Sequence, residues 1–299
     1  MSVPSAALQR LRLRTELRKA RQTANLTQRE VAAAMEWSSA KLIRIEAGEV
    51  GISVNDLRSL LAFYGIDDRQ RIDELLALAR SSRKMPFTEY RDLYDKDFLQ
   101  FLALEQAAWI TRQYGPLVIP GTLQTEEYMR AVMRAFDPHA TEEVIDRAVE
   151  GRTARQEVLE DTEGRGFFYV LDESVLRRVC GGNSVMRKQL EHIADLSTRP
   201  NITIKILPFS SGAHPGILGP FTVFEFQAEE MENALFVEDS RGNTFAVNSA
   251  EETRRYLERF WELEDLSVDG DVETLLRRLA VRMEEGGDDL AKLLKEDAD

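Results

Sequence analysis

Between Leu26 and Gly48 the chain carries side chains suited to reading a nucleic acid: Thr27 and Gln28, then Ser38, Ser39, Ala40, Lys41 and Arg44. An arginine guanidinium can hold the O6 and N7 atoms of guanine with two parallel hydrogen bonds, worth about 1–3 kcal/mol of discrimination. Arg44 is the candidate for that contact. Gln28 can clamp a phosphate or reach a base edge. Lys41 is either a second base reader or a phosphate contact. Ser39 and Ala40 are small and offer few direct hydrogen bonds, which leaves specificity to Arg44, Lys41 and DNA shape. Asn55 is a candidate phosphate donor. Each reading has a plainer rival. Arg44 can pair with Glu30 or Glu46 and merely hold the domain together. Trp37 suits a core position better than a base-stacking platform, and Leu42 and Ile45 are core.

Elsewhere the chemistry is sparser. Asp172 and Glu173 are adjacent; on a strand they point to opposite faces, and at a helix start about 100° apart. That spacing fits a helix cap after a strand better than a paired acid and base. His214 lies in a glycine-containing loop with no nucleophile placed beside it. Cys180 reads as a small buried residue or an idle thiol. Arg152 and Arg155 share one helix face, where they can grip an anion or a partner's carboxylates, or pair internally. No phosphate-loop or dinucleotide glycine pattern is present. Three histidines and one cysteine leave little for a metal site. The expectation is a protein that is not an enzyme and needs neither metal nor cofactor.

The reading side chains must be presented by helices, and five short ones are expected in the first eighty residues. Leu8, Leu11, Leu17 and Ala20 form an apolar stripe, broken at Asn25-Leu26. Thr27 starts a second helix, with Glu30 at the reciprocal capping position. Glu36-Trp37 is a short turn. Ser38 caps a third helix, Ser39 to Ala47, which Gly48 ends. Ser53 opens a fourth, with Asp56 at its capping position, and Gly65 stops it. The fifth runs from Arg69 to about Arg80. A second and third helix joined by so short a turn make a helix-turn-helix, whose latter helix can lie in the major groove. The segments Leu26-Thr27-Gln28-Arg29-Glu30-Val31-Ala32 and Trp37-Ser38-Ser39-Ala40-Lys41-Leu42-Ile43-Arg44-Ile45-Glu46-Ala47-Gly48 closely resemble the XRE (lambda-repressor/Cro-like) DNA-binding domain. The departure is Glu36, where that family often has glycine in the turn.

Charge agrees with this placement. The 299 residues carry a net charge of −13, yet residues 1–84 hold 15 basic and 10 acidic side chains. The first segment tolerates a polyanion and the remainder repels one. Apolar residues make up 43% and charged residues 30%, which excludes disordered, collagen-like and disulfide-rich classes. No apolar run suffices to span a membrane, and the first residues do not read as a secretory signal. A single cysteine suits a reducing compartment. These readings predict a cytoplasmic protein of several domains: an all-α helix-turn-helix domain over 1–80, a linker over 81–94, an α+β domain with a mainly antiparallel sheet over 95–268, and a helical acidic tail over 269–299.

In the larger domain, helices are expected at Asp95 to about Ala108, after Thr125, from Thr141 to about Asp161, from a cap at Asn183 to about Leu196, and after Ser249. Strands are expected around Trp109–Tyr114, Phe167–Leu171, Ile202–Ile206, Phe221–Phe226 and Leu235–Val237. Short, turn-rich connections suggest antiparallel pairing. Val272, Leu275, Leu276, Leu279 and Met283 form an apolar stripe that docks on the body or on a second subunit. The set Val118-Ile119-Pro120-Gly121-Thr122-Leu123-Gln124-Thr125-Glu126-Glu127-Tyr128, Arg152-x-x-Arg155-Gln156, Val170 to Arg178, Gln189-Leu190, Ile206-Leu207-Pro208 and Gly219-Pro220-Phe221 resembles the C-terminal domain of actinobacterial antitoxin-like XRE regulators. That group includes the WhiJ-type developmental regulators. The resemblance implies a repressor-like protein that works with a small partner protein encoded nearby. A homodimer on a two-fold operator of double-stranded DNA is the expected assembly. The rival readings are an antitoxin that neutralises its partner and controls its own operon, and a metabolite-sensing regulator. Arg152, Arg155 and His214 are the candidate partner or ligand residues.

Overall fold

The computed structural model describes residues 6–48, 50–81, 86–160, 164–227, 231–239, 242, 244–247, 249–268 and 270–284. The segment 82–85 of the expected linker and the acidic run 285–299 lie outside the described residues. The chain forms two compact units, one of Met1–Trp109, Phe224–Ala234 and Asn243–Ala250, the other of Ile110–Val223, Leu235–Gly242 and Glu251–Asp299.

The first unit opens with five helices: α1 (Ala6–Thr23), α2 (Gln28–Ala34), α3 (Ser39–Glu46), α4 (Val54–Phe63) and α5 (Arg69–Ser81). They enclose a core of Leu13, Leu17, Val31, Ala32, Leu42, Ile45, Leu57, Leu60, Leu61, Leu75, Leu76 and Ala79. Hydroxyl caps set the starts of α2, α3 and α4. Thr27 Oγ1 accepts from Glu30 N–H at 3.3 Å, while Glu30 Oε2 accepts from Thr27 N–H at 2.8 Å. That closes a reciprocal box and holds the Glu30 carboxyl below its usual range. Ser38 and Ser53 cap α3 and α4 in the same way, each accepting from the amide three residues on. Asp56 does not return to Ser53; its carboxylate accepts from Lys41 Nζ at 3.1 Å. A further helix, α6 (Lys96–Glu105), belongs to this unit.

Glu36 occupies the turn between α2 and α3 with φ +55°. A left-handed backbone costs a non-glycine residue about 1–2 kcal/mol, partly offset by the extra freedom glycine has when unfolded. Glu36→Gly is therefore expected to raise stability by about 0.5–1 kcal/mol. Slower amide exchange across α2 and α3 would register the gain, and faster exchange would contradict it.

The sheet has six strands in the order β3-β2-β1-β4-β5-β6, namely β1 (Ile110–Gly115), β2 (Gly166–Asp172), β3 (Ile202–Leu207), β4 (Phe221–Glu225), β5 (Ala234–Glu238) and β6 (Thr244–Val247). The α+β class stands and the sheet is mixed. Contrary to the antiparallel expectation, β1 pairs with β2 in parallel, and β2 with β3 likewise. The reason is in the connections. The chain returns from β1 to β2 through α7 (Glu126–Phe136) and α8 (Glu142–Gln156), and from β2 to β3 through α9 (Glu173–Arg177) and α10 (Asn183–Ser197). Helical crossovers of this length bring the chain back to the starting edge. The neighbours on the other side of β1 run antiparallel. Phe221, which starts β4, lies 5.9 Å from Tyr114 near the end of β1, while Glu225 O at the end of β4 accepts from Trp109 N–H just ahead of β1. Pro220 O, before β4, accepts from Glu238 N–H at the end of β5, which follows after a loop. Strand β6 was not foreseen; its four residues carry too short a pattern to be read.

In the second unit the two sheet faces differ. Phe167, Tyr169 and Leu171 of β2 join Ile202, Ile204 and Ile206 of β3 on one face. They pack with Tyr128 and Val132 of α7, Met186, Leu190 and Ile193 of α10, and Leu276, Leu279 and Met283 of α12 (Val272–Glu284). The apolar stripe at 272–283 thus docks on its own chain. On the other face the Arg112 guanidinium lies 4.6 Å over the Phe168 ring and 5.7 Å from Phe260 of α11 (Ala250–Leu266). Asp172 caps α9, accepting from Ser174 N–H at 2.9 Å, as its position after a strand predicts. Asn183 is not a cap. Gly182 stands there with φ +93° and no side-chain hydrogen bond, and Asn183 begins the helix.

Candidate nucleic-acid interface

Helix α3 is divided by its own periodicity. Leu42, Ile45 and Glu46 are buried, while Ser39, Ala40, Ile43 and Arg44 are exposed. Residues three and four apart share a helix face, so the four exposed side chains form one outward strip. Ile43 is 46% exposed. The sequence reading passed over it because an isoleucine between two core positions resembles core. Its spacing from Ser39 and Ala40 was the available signal. In a major groove, Ala40 and Ile43 suit the methyl group of thymine, and Arg44 suits guanine.

The strip is held in place from behind by charge. Glu46, 2% exposed, accepts from Arg21 Nε at 2.7 Å, from Arg21 Nη2 at 3.1 Å and from Gln28 Nε2 at 2.8 Å. One carboxylate thereby joins α1, the start of α2 and the end of α3. Hydrogen bonding to Glu46 raises the Arg21 guanidinium above its ordinary value. The carbonyls that end α3 meet two further cations. Arg14 Nη1 donates to Ala47 O at 3.1 Å and Arg18 Nη2 to Glu46 O at 3.4 Å, the favourable sign at a helix C-terminus. Burial, with Arg18 nearby, pushes Arg14 down to about 10, so it remains charged at neutral pH.

The other sequence candidates fall as follows. Thr27 and Ser38 are exposed caps with oxygens turned to their own helices. Gln28 is half-buried, and its amide nitrogen faces Glu46. The two carboxylates considered as partners for Arg44 are engaged with Thr27 and with Arg21 and Gln28. Lys41 Nζ sits 3.1 Å from Asp56 Oδ2 and 4.0 Å over the Trp37 ring. Trp37 itself packs, half-buried, against the core. Asn55 is exposed in the first turn of α4. These residues therefore lie together on α2, α3 and the start of α4. Arg152, Arg155 and His214 belong to the second unit. Arg152 Nη1 donates to Gln124 Oε1 at 3.0 Å, and Arg155 is buried beside Gly121, where a Cβ would come within 2.8 Å of its Nη1. His214 covers the end of β1, with its ring edge-on to Tyr114 at 6.2 Å.

No helix among the described residues is long and apolar enough to cross a membrane. Two family models match the chain. A helix-turn-helix domain matches residues 12–75, and a domain of unknown function, DUF5753, matches residues 98–275. No curated protein and no solved structure matches it. The helix-turn-helix match coincides with the helices that carry the exposed strip and makes this part a DNA-binding module. The second match spans more than half of the chain, and with it the chain belongs to the DUF5753 family, as a member that carries a helix-turn-helix domain ahead of the family domain.

Proposed function

We propose that the protein is a transcriptional regulator, of the repressor kind, that recognises a specific operator in double-stranded DNA through α3. The observation that carries this reading is the separation on α3 between a buried edge fixed by Leu42, Ile45 and Glu46 and an exposed strip of Ser39, Ala40, Ile43 and Arg44. Arg44 reads guanine, and Ala40 and Ile43 contact thymine methyl groups. Lys41 and Asn55 hold phosphates, and Gln28 approaches the backbone beside α3. One such module covers few base pairs, so two copies bind a two-fold site. The larger unit receives a signal and shifts the population competent for DNA. The chain is a regulator rather than a catalyst.

The test is fluorescence anisotropy on an operator selected from random duplexes, at fixed salt. Arg44→Ala is expected to weaken operator binding roughly 10- to 100-fold. Binding to unrelated duplex should fall far less, because phosphate contacts carry that term. Operator affinity equal to that of the unaltered protein would refute the assignment of α3 as the reader.

A further inference from the structure

Helices α2 and α4 start alike and use their starts differently. Each has a hydroxyl cap followed three residues on by an acid, Thr27 with Glu30 and Ser53 with Asp56. The Glu30 carboxylate reaches back to the cap amide, a return that glutamate and glutamine are long enough to make. Asp56 is one methylene shorter. Its carboxylate turns instead to α3, where Lys41 Nζ lies 3.1 Å from Oδ2. The Asp56 amide still donates to Ser53 Oγ at 3.0 Å, so the cap of α4 stands without the carboxylate. The same ammonium lies over the Trp37 ring, 4.0 Å from its centroid.

With α3 as the reading helix, this pair stands beside the duplex. Lys41 precedes Arg44 by three residues, a neighbouring position on the helix surface. Asn55, the other phosphate holder, directly precedes Asp56. Both partners are open to solvent, with 40% and 36% of their side chains exposed. An ion pair so exposed is weakly held, and a phosphate oxygen serves an ammonium as well as a carboxylate does. Lys41 can keep both partners only if two anions stand side by side, and these repel. Residues 1–84 carry 15 basic and 10 acidic side chains, a balance that tolerates a polyanion. Asp56 sets the opposite sign against a cation at the edge of the reading helix.

We infer that Asp56 is an internal rival of the DNA backbone for Lys41, an inference that rests on the reading of α3 as the DNA helix. In the free protein the Asp56 carboxylate holds the ammonium. On binding, a phosphate takes the ammonium over. The exchange breaks the pair and leaves the Asp56 charge near the backbone. Both effects weaken binding to operator and unrelated duplex alike, because phosphate contacts carry no sequence information. Asp56 thereby sets how tightly the unit grips duplex of any sequence, while Arg44 retains the choice among sequences. Asp56 is a positioning residue that acts through Lys41 and makes no base contact of its own.

The experiment measures fluorescence anisotropy of the full chain on unrelated duplex and on the selected operator, across about 50–200 mM salt. Asp56→Asn is expected to tighten both about 3- to 10-fold at the low-salt end, through loss of one charge near the phosphates. The plot of log affinity against log salt should steepen by about 0.9, the release of one more counterion. In a Lys41→Ala background the same change should leave the slope where it was. A merely structural role for Asp56 gives no such dependence on Lys41. Asp56→Gln is the second variant, since glutamine can close the box with Ser53 and keep α4 capped. It should match Asp56→Asn. Affinity and slope unmoved by both variants overturn the proposal. So does weaker binding, which makes Asp56 a support for Lys41 rather than its rival, and so does a slope that steepens equally without Lys41. Failure of the unaltered protein to bind any duplex is a separate result: it refutes DNA reading through α3 and takes the inference with it.

Discussion

Glu46→Ala is expected to cost the helix-turn-helix unit about 3–5 kcal/mol, the usual result of breaking a buried ion pair from one side. The carboxylate is 2% exposed and its partner Arg21 has 13% of its side chain in solvent. Removing Glu46 leaves a half-buried guanidinium and the Gln28 amide with no carboxylate to face. It also cuts the link between α1, α2 and α3. Glu46→Gln, which keeps an acceptor and loses the charge, should cost less. Hydrogen–deuterium exchange over residues 6–46 reads the change as faster opening of those helices. A loss under about 1 kcal/mol would mean the network is no stronger than a surface pair. Ser39→Ala is the control, since Ser39 lies on the exposed strip and its loss should leave exchange nearly unchanged.

The second large effect is expected at Leu276→Ala. Leu276 has no exposed surface and sits in the core that α12 shares with α10 and β3. Truncating a buried leucine typically costs 2–5 kcal/mol, from lost transfer free energy and the cavity left behind. By contrast, Arg277 on the same helix bridges Asp195 and Glu273 at 2.9 Å with half its side chain in solvent. Arg277→Ala should cost far less, because exposed ion pairs contribute little. Urea unfolding of the full chain distinguishes the two. Equal losses at both positions would mean that α12 is held by its surface charges rather than by its apolar edge.

How much of this was legible in the sequence depends on the range of the forces involved. The five helices were readable because their signals are local: the Thr27–Glu30 box, the hydroxyls of Ser38 and Ser53, and the glycines at 48 and 65 each act within a few residues. Strand positions were readable from alternation, as in the three isoleucines of β3 that share one face. Strand direction was not, because it depends on where the α7–α8 and α9–α10 excursions return. The candidate interface shows the same division. Exposure of Ser39, Ala40 and Arg44 follows from period 3.6, which also places Ile43. The pairing of Glu46 with Arg21 does not: the two are 25 residues apart, and only packing brings them together. Likewise nothing local to Asp56 foretells Lys41. The contact of His214 with the ends of β1 and β2 needed the strand order.

The split character of α3 bears on how such regulators can diversify. The groups that fix the helix, Leu42, Ile45 and Glu46, are separate from the side chains that point outward. If α3 reads DNA as proposed, changes at 39, 40, 43 and 44 alter which sequence is preferred and leave the buried edge of the helix in place. Duplicate genes could part ways in their targets through a handful of codons, with the supporting scaffold inherited intact.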